Sequence, residues 1–297
     1  MKRCKEDVVF DAACFIILTL VLFVVAYPLY WVIISSISAP SAVSSGKVLL
    51  HPIGFTLKGY AEVFKNDQVM RGFLNSLIIT FCGVMVNLIV TLPTSYALSR
   101  SNFSGKKPIT IFYLITMFFG GGLIPTYLVI QRLQMLNTIW ALILPGCLSV
   151  YNMIVARTFF KSNISEELYE AAEIDGCTQA RFFFQIALPL SKAIIAILVL
   201  YYGVGHWNSY FSALVYISDK AKYPLQLVLR NILITNQTAL SQTATTAAAR
   251  AALQEKQQLI DVMKYSLIII SSIPVLVMYP LVQKHFVKGV MIGAVKG

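Results

Sequence analysis

The chain has 297 residues, of which 57% are hydrophobic and 12% charged, with a mean hydropathy of +0.72 and a formal net charge of +11. This composition excludes a water-soluble globular protein of that length. Because the basic residues lie in segments that flank apolar stretches, the charge is typical of contact with anionic membrane lipid and argues against nucleic-acid binding.

Six stretches are apolar and long enough to cross a bilayer as helices. The sequence therefore predicts an all-α membrane protein with six transmembrane helices, in which residues 1–297 form a single transmembrane domain. Lys and Arg fall mainly in alternate loops, and the short loop at 99–107 gives the clearest bias, which predicts a multi-pass cell-membrane protein with both termini in the cytoplasm. The spans are expected at about 12–37, 73–98, 109–131, 138–157, 190–215 and 264–284.

The second and third spans carry polar and small residues. Asn75 opens the second span and Asn87 lies deeper in it, while Gly120–Gly122 interrupt the third span shortly before Tyr127. A break of this kind is tolerated in a bilayer only against protein or a water-filled cavity. Helix packing through small residues and a moving wall of a translocation pathway are both open interpretations, and Asn75, Asn87 and Tyr127 are candidate pathway residues.

The polar segment at 165–189 interrupts the apolar sequence after the fourth span. Ser165 and Thr178 are suited to cap two helices, and Gly176 between them is suited to the left-handed conformation that closes a helix. Ile164 and Tyr169 occupy the positions of a hydrophobic staple. The segment therefore predicts two short helices joined by a glycine hinge.

The end of this segment predicts where the next span starts. The second short helix is expected to run through Ile186, and Pro189 is expected in the first turn of the following span. That fifth span is rich in aromatic residues, which stack on sugar rings but also form interfacial belts. Its candidate pathway residues are Tyr202, His206, Trp207, Asn208 and Tyr210.

The six predicted spans contain no Asp, Glu, Lys or Arg away from their ends, and His206 is the one titratable candidate. Ion-coupled transporters usually keep such residues, so the energy source is expected outside this chain. The sequence also lacks a phosphate-binding G-x-x-x-x-G-K-[ST] loop and a Cys/His spacing typical of metal sites. We expect no catalytic site, no metal and no cofactor in this chain, with ATP and Mg²⁺ bound by a partner if ATP drives the process.

The segment EAAEIDGCTQARFFFQIALP from Glu170 resembles the EAA loop of ABC-importer permeases, in which E-A-A, D-G-A, F, I and L-P recur at fixed gaps. Cys177 departs from the family alanine, and both residues are small. The resemblance implies that this loop, at 165–189, is a cytoplasmic coupling helix that binds an ATPase. The matching residues are Glu170, Ala171, Ala172, Asp175, Gly176, Phe183, Ile186, Leu188 and Pro189.

Most of the remaining chain is similar to the smaller permease of carbohydrate importers of the maltose type, in the branch that imports oligosaccharides and polysaccharide fragments. The similarity lies in the segments that start at Gly120, Gly205 and Tyr223 and in FVKGVMIGAVKG at the C-terminus. It implies the type I ABC-importer permease fold. It also implies three partners, which are a second homologous permease, an ATPase dimer and an extracellular substrate-binding protein.

The leading hypothesis is a permease subunit that couples ATP hydrolysis by a partner to uptake of an oligosaccharide. An ABC permease for a non-sugar solute remains an alternative, as does a membrane scaffold that docks a cytoplasmic partner. Two segments have open roles: 239–258, expected to be helical outside the membrane, and the cytoplasmic tail 286–297, which either reaches the ATPases or faces lipid.

Overall fold

The computed structural model describes residues 5–239 and 247–294, and every regular element in them is helical. Short 3-10 turns lie at Leu144–Gly146 and Lys220–Lys222, and a π-helix at Phe183–Ala187. The helices are α1 Lys5–Ser36, α2 Pro40–Ser44, α3 Lys58–Lys65, α4 Asp67–Ser99, α5 Lys106–Phe118, α6 Leu123–Arg132, α7 Trp140–Ile143, α8 Val150–Asn163, α9 Glu166–Ile174, α10 Gln179–Phe182, α11 Leu188–Leu190, α12 Lys192–Asn208, α13 Phe211–Tyr216, α14 Leu225–Ala239 and α15 Ala247–Ala294.

Three helices are long and apolar enough to cross a membrane: Phe10–Ser36 within α1, α4, and Gln257–Pro280 within α15. Three further apolar pairs are bent. The angle is 115° between α5 and α6, 52° between α7 with its 3-10 turn and α8, and 80° between Gln179–Leu190 and α12. If each bent pair is one span, the total is six, the number that the sequence predicts. The predicted interruption at Gly120–Gly122 lies where α5 and α6 separate.

The chain folds into two compact units, one formed by the residues up to Met70 with Leu229–Ser272, the other by Arg71–Val228 with the residues from Ile273. In the first unit, Trp31 donates a hydrogen bond to the Val48 carbonyl at 2.8 Å and packs edge to face on Tyr265 at 5.1 Å. The apolar window of α1 is otherwise 0% buried.

The second unit has a core in which α4, α8, α9, α10 and α12 meet. Aromatic residues dominate the part of this core that packs against the segment at 165–189. There the centroids of the Tyr96 and Phe160 rings lie 5.6 Å apart, edge to face. Phe160 and Phe182 are at most 1% exposed. Burial of a phenylalanine side chain stabilises a fold by about 1.5–3 kcal/mol. The core consists of Val84, Leu92, Tyr96, Ala156, Phe160, Ile164, Tyr169, Phe182, Phe183, Ala187, Ile194, Leu198 and Tyr202.

The structure corrects two predicted helix boundaries. The helix that begins at Gln179 continues past Ile186 to Leu190, so Pro189 lies in its last turn instead of the first turn of the next span. Proline has no N–H to continue the ladder, and the preceding turn widens so that the Leu188 N–H bonds to the Phe183 carbonyl. The fifth span, expected over 190–215, is the shorter helix α12 followed by the separate helix α13.

Two segments of open role are described in part. Of 239–258, residues 240–246 lie outside the described residues, and from Ala247 the chain is the start of α15. Of the tail 286–297, the backbone is helical to Ala294, whereas its side chains and residues 295–297 lie outside what the structure describes. The prediction that the tail reaches a partner therefore stays a prediction.

Candidate functional site

Residues 165–190 form two capped helices, which we call the hinged element. The Ser165 hydroxyl accepts a hydrogen bond from the Leu168 N–H at 3.3 Å and begins α9. The Thr178 hydroxyl accepts one from the Arg181 N–H at 3.3 Å and begins α10. Each cap satisfies a backbone donor that the first helical turn leaves unpaired. Both predicted caps are confirmed.

Gly176 joins the two helices with a φ of +74°, in the left-handed region that favours glycine. Its N–H bonds to the Glu173 carbonyl at 3.0 Å, and the Cys177 N–H bonds to the Ala172 carbonyl at 2.9 Å. These two bonds close the end of α9 and turn the chain toward Thr178. The predicted glycine hinge is therefore present in the structure.

One face of the hinged element is buried in the core of the second unit. Tyr169 packs edge to face on Phe182 at 5.3 Å between ring centroids, and Tyr96 lies 5.0 Å from Phe183. Ile164 and Tyr169, the predicted staple pair, are both buried in this core. Ala172, Ile186 and Leu188 are partly buried against it. Of the predicted coupling residues, the core face therefore holds Ala172, Phe183 and Leu188.

The opposite face of the hinged element is exposed and mixes charge with apolar surface. Ile174 is 87% exposed at the end of α9, beside the hinge. Ile174 therefore adds one large aliphatic side chain to an exposed surface that also carries carboxylates. Of the predicted coupling residues, the exposed face holds Glu170, Ala171, Asp175 and Gly176, and Pro189 is exposed near the end of the element.

An ion pair ties the hinged element to the end of α4. Arg100 Nη2 lies 2.7 Å from Glu166 Oε2, and the Ser101 N–H donates to Glu166 Oε1 at 3.3 Å. The guanidinium carbon of Arg100 lies 3.9 Å from the centroid of the Tyr169 ring. The ion pair is partly exposed, and such pairs stabilise a fold by about 0–1 kcal/mol. The contact with the tyrosine ring adds about 0.5–1 kcal/mol.

Polar side chains of α4 and α12 form hydrogen bonds with residues at the break between α7 and α8, which lies in the predicted fourth span. Asn87 Nδ2 donates to the Gly146 carbonyl at 2.7 Å, and Asn87 Oδ1 lies 2.7 Å from His206 Nε2. The hydroxyls of Thr91 and Tyr202 lie 2.8 Å apart, and the Ser149 N–H donates to the Tyr202 hydroxyl at 3.2 Å. We call these side chains, Asn87, Thr91, Tyr202 and His206, the polar cluster.

The polar cluster satisfies backbone groups that the break leaves unpaired. Gly146 ends the 3-10 turn after α7, and Ser149 caps α8, so both lie where the helical ladder is interrupted. An unpaired backbone group in a bilayer costs several kcal/mol. Asn87 and Tyr202, both predicted as pathway residues, therefore hold the break of the fourth span by direct hydrogen bonds.

The other candidate pathway residues are dispersed over the second unit. Asn75 donates to the Ala221 and Tyr223 carbonyls at 2.8 and 3.1 Å. Trp207 is 2% exposed and packs on Phe73, and Tyr127 stacks on Tyr216. Two of the candidates are exposed, Asn208 and Tyr210.

The chain is similar in sequence to a sugar-transport permease over nearly its whole length. It is 36% identical over 288 residues to the polygalacturonan/rhamnogalacturonan transport system permease protein YtcP of Bacillus subtilis, with 97% of this chain and 98% of that protein covered. The chain is a carbohydrate ABC transport system permease. The permease is also 38% identical over 297 residues to Protein LplC of Bacillus subtilis, covering 100% of this chain and 98% of that one.

A solved structure shares the fold of the permease. It is a crystal structure of a bacterial ABC transporter involved in the import of the acidic polysaccharide alginate, with a TM-score of 0.86 and 27% identity. The match covers 96% of this permease and 99% of that chain. No family model matches the sequence.

Three residues of the site were not singled out from the sequence of the permease. Arg100 and Glu166 form their ion pair across a separation of 66 residues. A Cβ on Gly83 would lie 2.5 Å from His206 Nε2, so this glycine lets the imidazole rest against α4. No local pattern predicts the pairing of Arg100 with Glu166, whereas the position of Gly83, one turn before Asn87, was a usable signal.

Proposed function

We propose that this permease is the membrane-spanning subunit of an ATP-driven importer for oligosaccharides, and that its hinged element binds a partner ATPase. The observation that carries the proposal is the two-sided character of this element. One side is fixed in an aromatic core, and the other presents Ile174, 87% exposed, among carboxylates. A rigid exposed apolar tip with a charged rim has the composition of a protein–protein interface.

The predicted coupling residues divide between the two sides. Glu170, Ala171 and Asp175 face the ATPase, and Gly176 sets the angle between the helices. Ala172, Phe183 and Leu188 anchor the element, and Pro189 ends the helix that leads to the 80° bend before α12. ATP and Mg²⁺ bind to the ATPase, and this permease catalyses no reaction of its own.

The translocation pathway is proposed to use the candidates in two ways. Asn208 and Tyr210 are exposed and offer an amide and an aromatic hydroxyl to a sugar, and Tyr127 and His206 are partly accessible. Aromatic rings stack on the apolar faces of sugars. Asn75, Asn87, Tyr202 and Trp207 act indirectly, because their hydrogen bonds and packing fix the shape of the wall.

The assembled importer is proposed to contain a second homologous permease, an ATPase dimer and an extracellular substrate-binding protein. The apolar window of α1, 0% buried in this chain, supports a membrane partner or lipid along it. Both termini are proposed to lie in the cytoplasm, which places the hinged element on the side where ATP is available.

The cargo is proposed to be an oligosaccharide, and an acidic one is the first candidate to test. A relative is named for polygalacturonan and rhamnogalacturonan, and the solved structure for the acidic polysaccharide alginate. Polygalacturonan is a polymer of a uronic acid. Competition for uptake by oligogalacturonate, neutral galacto-oligosaccharide, peptide and phosphate would separate these cargoes; inhibition by phosphate or peptide alone would overturn the sugar assignment.

The experiment for the proposed function is affinity purification of the tagged permease from its native membrane in mild detergent, followed by mass spectrometry. We expect a second permease, an ATPase with a phosphate-binding loop and a secreted binding protein. Recovery of the permease alone, or without any ATPase, would contradict the proposal and favour a scaffold.

Docking through the hinge is tested by Gly176→Ala against Gly46→Ala. Gly46 has a φ of +69°, and at both positions nothing lies within 4 Å of a built Cβ. Both variants therefore carry a similar backbone cost of about 1–2 kcal/mol. We expect both to lose similar thermal stability but only Gly176→Ala to lose co-purifying ATPase. Equal ATPase retention would exclude the hinge from docking.

A further inference from the structure

Arg100 is held on three sides at the junction of α4 and the hinged element. Its side chain is 12% exposed, although it follows directly after a membrane-spanning helix, and its ion-pair partner Glu166 is 45% exposed. The guanidinium carbon lies 3.9 Å from the centroid of the Tyr169 ring and 5.9 Å from that of the Tyr96 ring. A planar guanidinium that pairs with a carboxylate and stacks on a ring has a restricted orientation.

The same junction fixes the short loop after α4. Lys106 at the start of α5 donates to the Arg100 and Ser101 carbonyls at 3.4 and 3.2 Å. The Ser101 N–H bonds to the second oxygen of Glu166. Both oxygens of one carboxylate in the first turn of α9 are therefore used to hold the end of α4.

The ion pair is one of two links at this level, because Tyr96 of α4 also packs on Phe183 of the hinged element at 5.0 Å between ring centroids. A cavity of about 290 Å³ lies beside Arg100, between the end of α4 and α10. Pro93, Ala97 and Arg100 line it on one side, and Gln179 and Ala180 on the other. A movement of the hinged element therefore reaches this end of α4 by two routes, the Arg100–Glu166 ion pair and the contact between Tyr96 and Phe183.

From this junction α4 continues to the polar cluster through Pro93, which has no N–H to donate within the helix. Two bonds also tie it to α8, Ser95 Oγ to the Met153 carbonyl at 3.1 Å and Arg157 Nε to the Leu98 carbonyl at 3.0 Å. Further along, Thr91 and Asn87 contact the residues that hold the break of the fourth span. One helix thus connects Glu166 with that break.

We propose that Arg100 is a positioning residue for transport, which passes displacement of the hinged element to α4 and through the polar cluster to the break of the fourth span. This inference rests on the proposed function. Arg100 takes no part in binding the ATPase, because its guanidinium is turned to Glu166 and Tyr169 and is largely buried. Its loss therefore separates ATP hydrolysis from uptake instead of dissociating the complex.

The test uses the complete importer in proteoliposomes, and measures retained ATPase, ATP hydrolysis and uptake of the cargo. Arg100→Gln keeps the length of the side chain and removes its charge, and Glu166→Gln removes the same ion pair from its exposed side. We expect both to retain the ATPase and to lower the uptake per ATP hydrolysed by about ten-fold, a size typical of mutations that act on coupling. The matched control is Lys65→Gln, which breaks the Lys65–Glu62 ion pair of 3.0 Å in the first unit and leaves the ratio unchanged.

A charge exchange distinguishes positioning from simple stabilisation. The double variant Arg100→Glu with Glu166→Arg restores the ion pair, and we expect it to recover part of the lost uptake per ATP, whereas Arg100→Glu alone does not. Unchanged ratios in both Gln variants, or loss of the ATPase from them, would overturn the inference while the proposed function stands. Absence of ATP-dependent uptake in the wild-type complex would overturn both.

Discussion

Asn87 and His206 lie on two different spans and share a hydrogen bond of 2.7 Å between Asn87 Oδ1 and His206 Nε2. The amide nitrogen of Asn87 also donates to the Gly146 carbonyl, at the break between α7 and α8. One 0% exposed side chain therefore joins α4, α12 and the 3-10 turn that follows α7. This relationship sets the first prediction.

Asn87→Ala is expected to lower the free energy of unfolding by about 1–3 kcal/mol, because it leaves the Gly146 carbonyl and the His206 ring nitrogen, whose bonds to Asn87 are partly buried, without their partner. Thermal unfolding of the purified permease in detergent measures the change. Asn163→Ala serves as the control, since Asn163 is exposed and bonds only within its own helix turn; we expect a change within about 0.5 kcal/mol. A melting temperature equal for the two variants would contradict the assignment.

Gly83→Ala is expected to destabilise the permease by about 1–3 kcal/mol through overpacking, because the added methyl would lie 2.5 Å from His206 Nε2. The cause is tested with a double-mutant cycle. In a His206→Ala background the same substitution has room, so we expect a positive coupling energy between the two sites. Additive losses in thermal stability would show that Gly83 does not act through the imidazole.

Tyr202→Phe removes one hydroxyl and leaves the Thr91 hydroxyl and the Ser149 N–H without the partner they share. We expect a loss of about 1–3 kcal/mol in unfolding free energy. Hydrogen exchange at the start of α8 gives a local measurement, and we expect faster exchange of the Ser149 amide. The adjacent aromatic substitution Tyr201→Phe is the control, because Tyr201 is 43% exposed; equal effects of the two variants would refute the prediction.

Ser191→Ala is expected to leave the stability of the permease unchanged or to raise it. Ser191 is 0% exposed at the 80° bend before α12, and its hydroxyl has no hydrogen-bond partner among the residues that the structure describes. Removal of a buried hydroxyl that makes no hydrogen bond breaks no bond in the folded state. Ser95→Ala is the matched contrast, because Ser95 is equally buried and its hydroxyl bonds to the Met153 carbonyl. A larger loss for Ser191→Ala than for Ser95→Ala would contradict the structure at the bend.

The sequence predicts the features that depend on neighbouring residues. The caps at Ser165 and Thr178 and the hinge at Gly176 follow from side chains within a few positions, and all three are present. Apolar length predicts six spans, whereas the described residues contain three long apolar helices, or six spans if each bent pair is one, and the bend angles do not follow from apolar length. The Pro189 boundary was misplaced, because the sequence does not show that the helix would accommodate this proline with a wider turn.

The links between distant parts of the chain could not be predicted. Asn87 and His206 are 119 residues apart, and Arg100 and Glu166 are 66 apart. Both pairs form only once α4 lies against its neighbours, so their chemistry is a property of packing. The polar residues of the spans were interpreted as candidates to face a sugar, whereas Asn87 and Tyr202 are occupied by backbone groups at the break of the fourth span.

The empty surroundings of Gly176 show what kind of constraint this position imposes. Among the described residues, no atom lies within 4 Å of a Cβ built there, so the fold leaves room for a Cβ. The constraint at this position is on backbone conformation, because a φ of +74° lies in the left-handed region, the mirror image of the region that L-residues prefer. Asparagine, which enters that region most readily among ordinary residues, should therefore be the mildest replacement. In the isolated permease, the loss of stability on substitution at 176 should therefore rank by the tolerance of each residue for the left-handed region and depend little on side-chain volume.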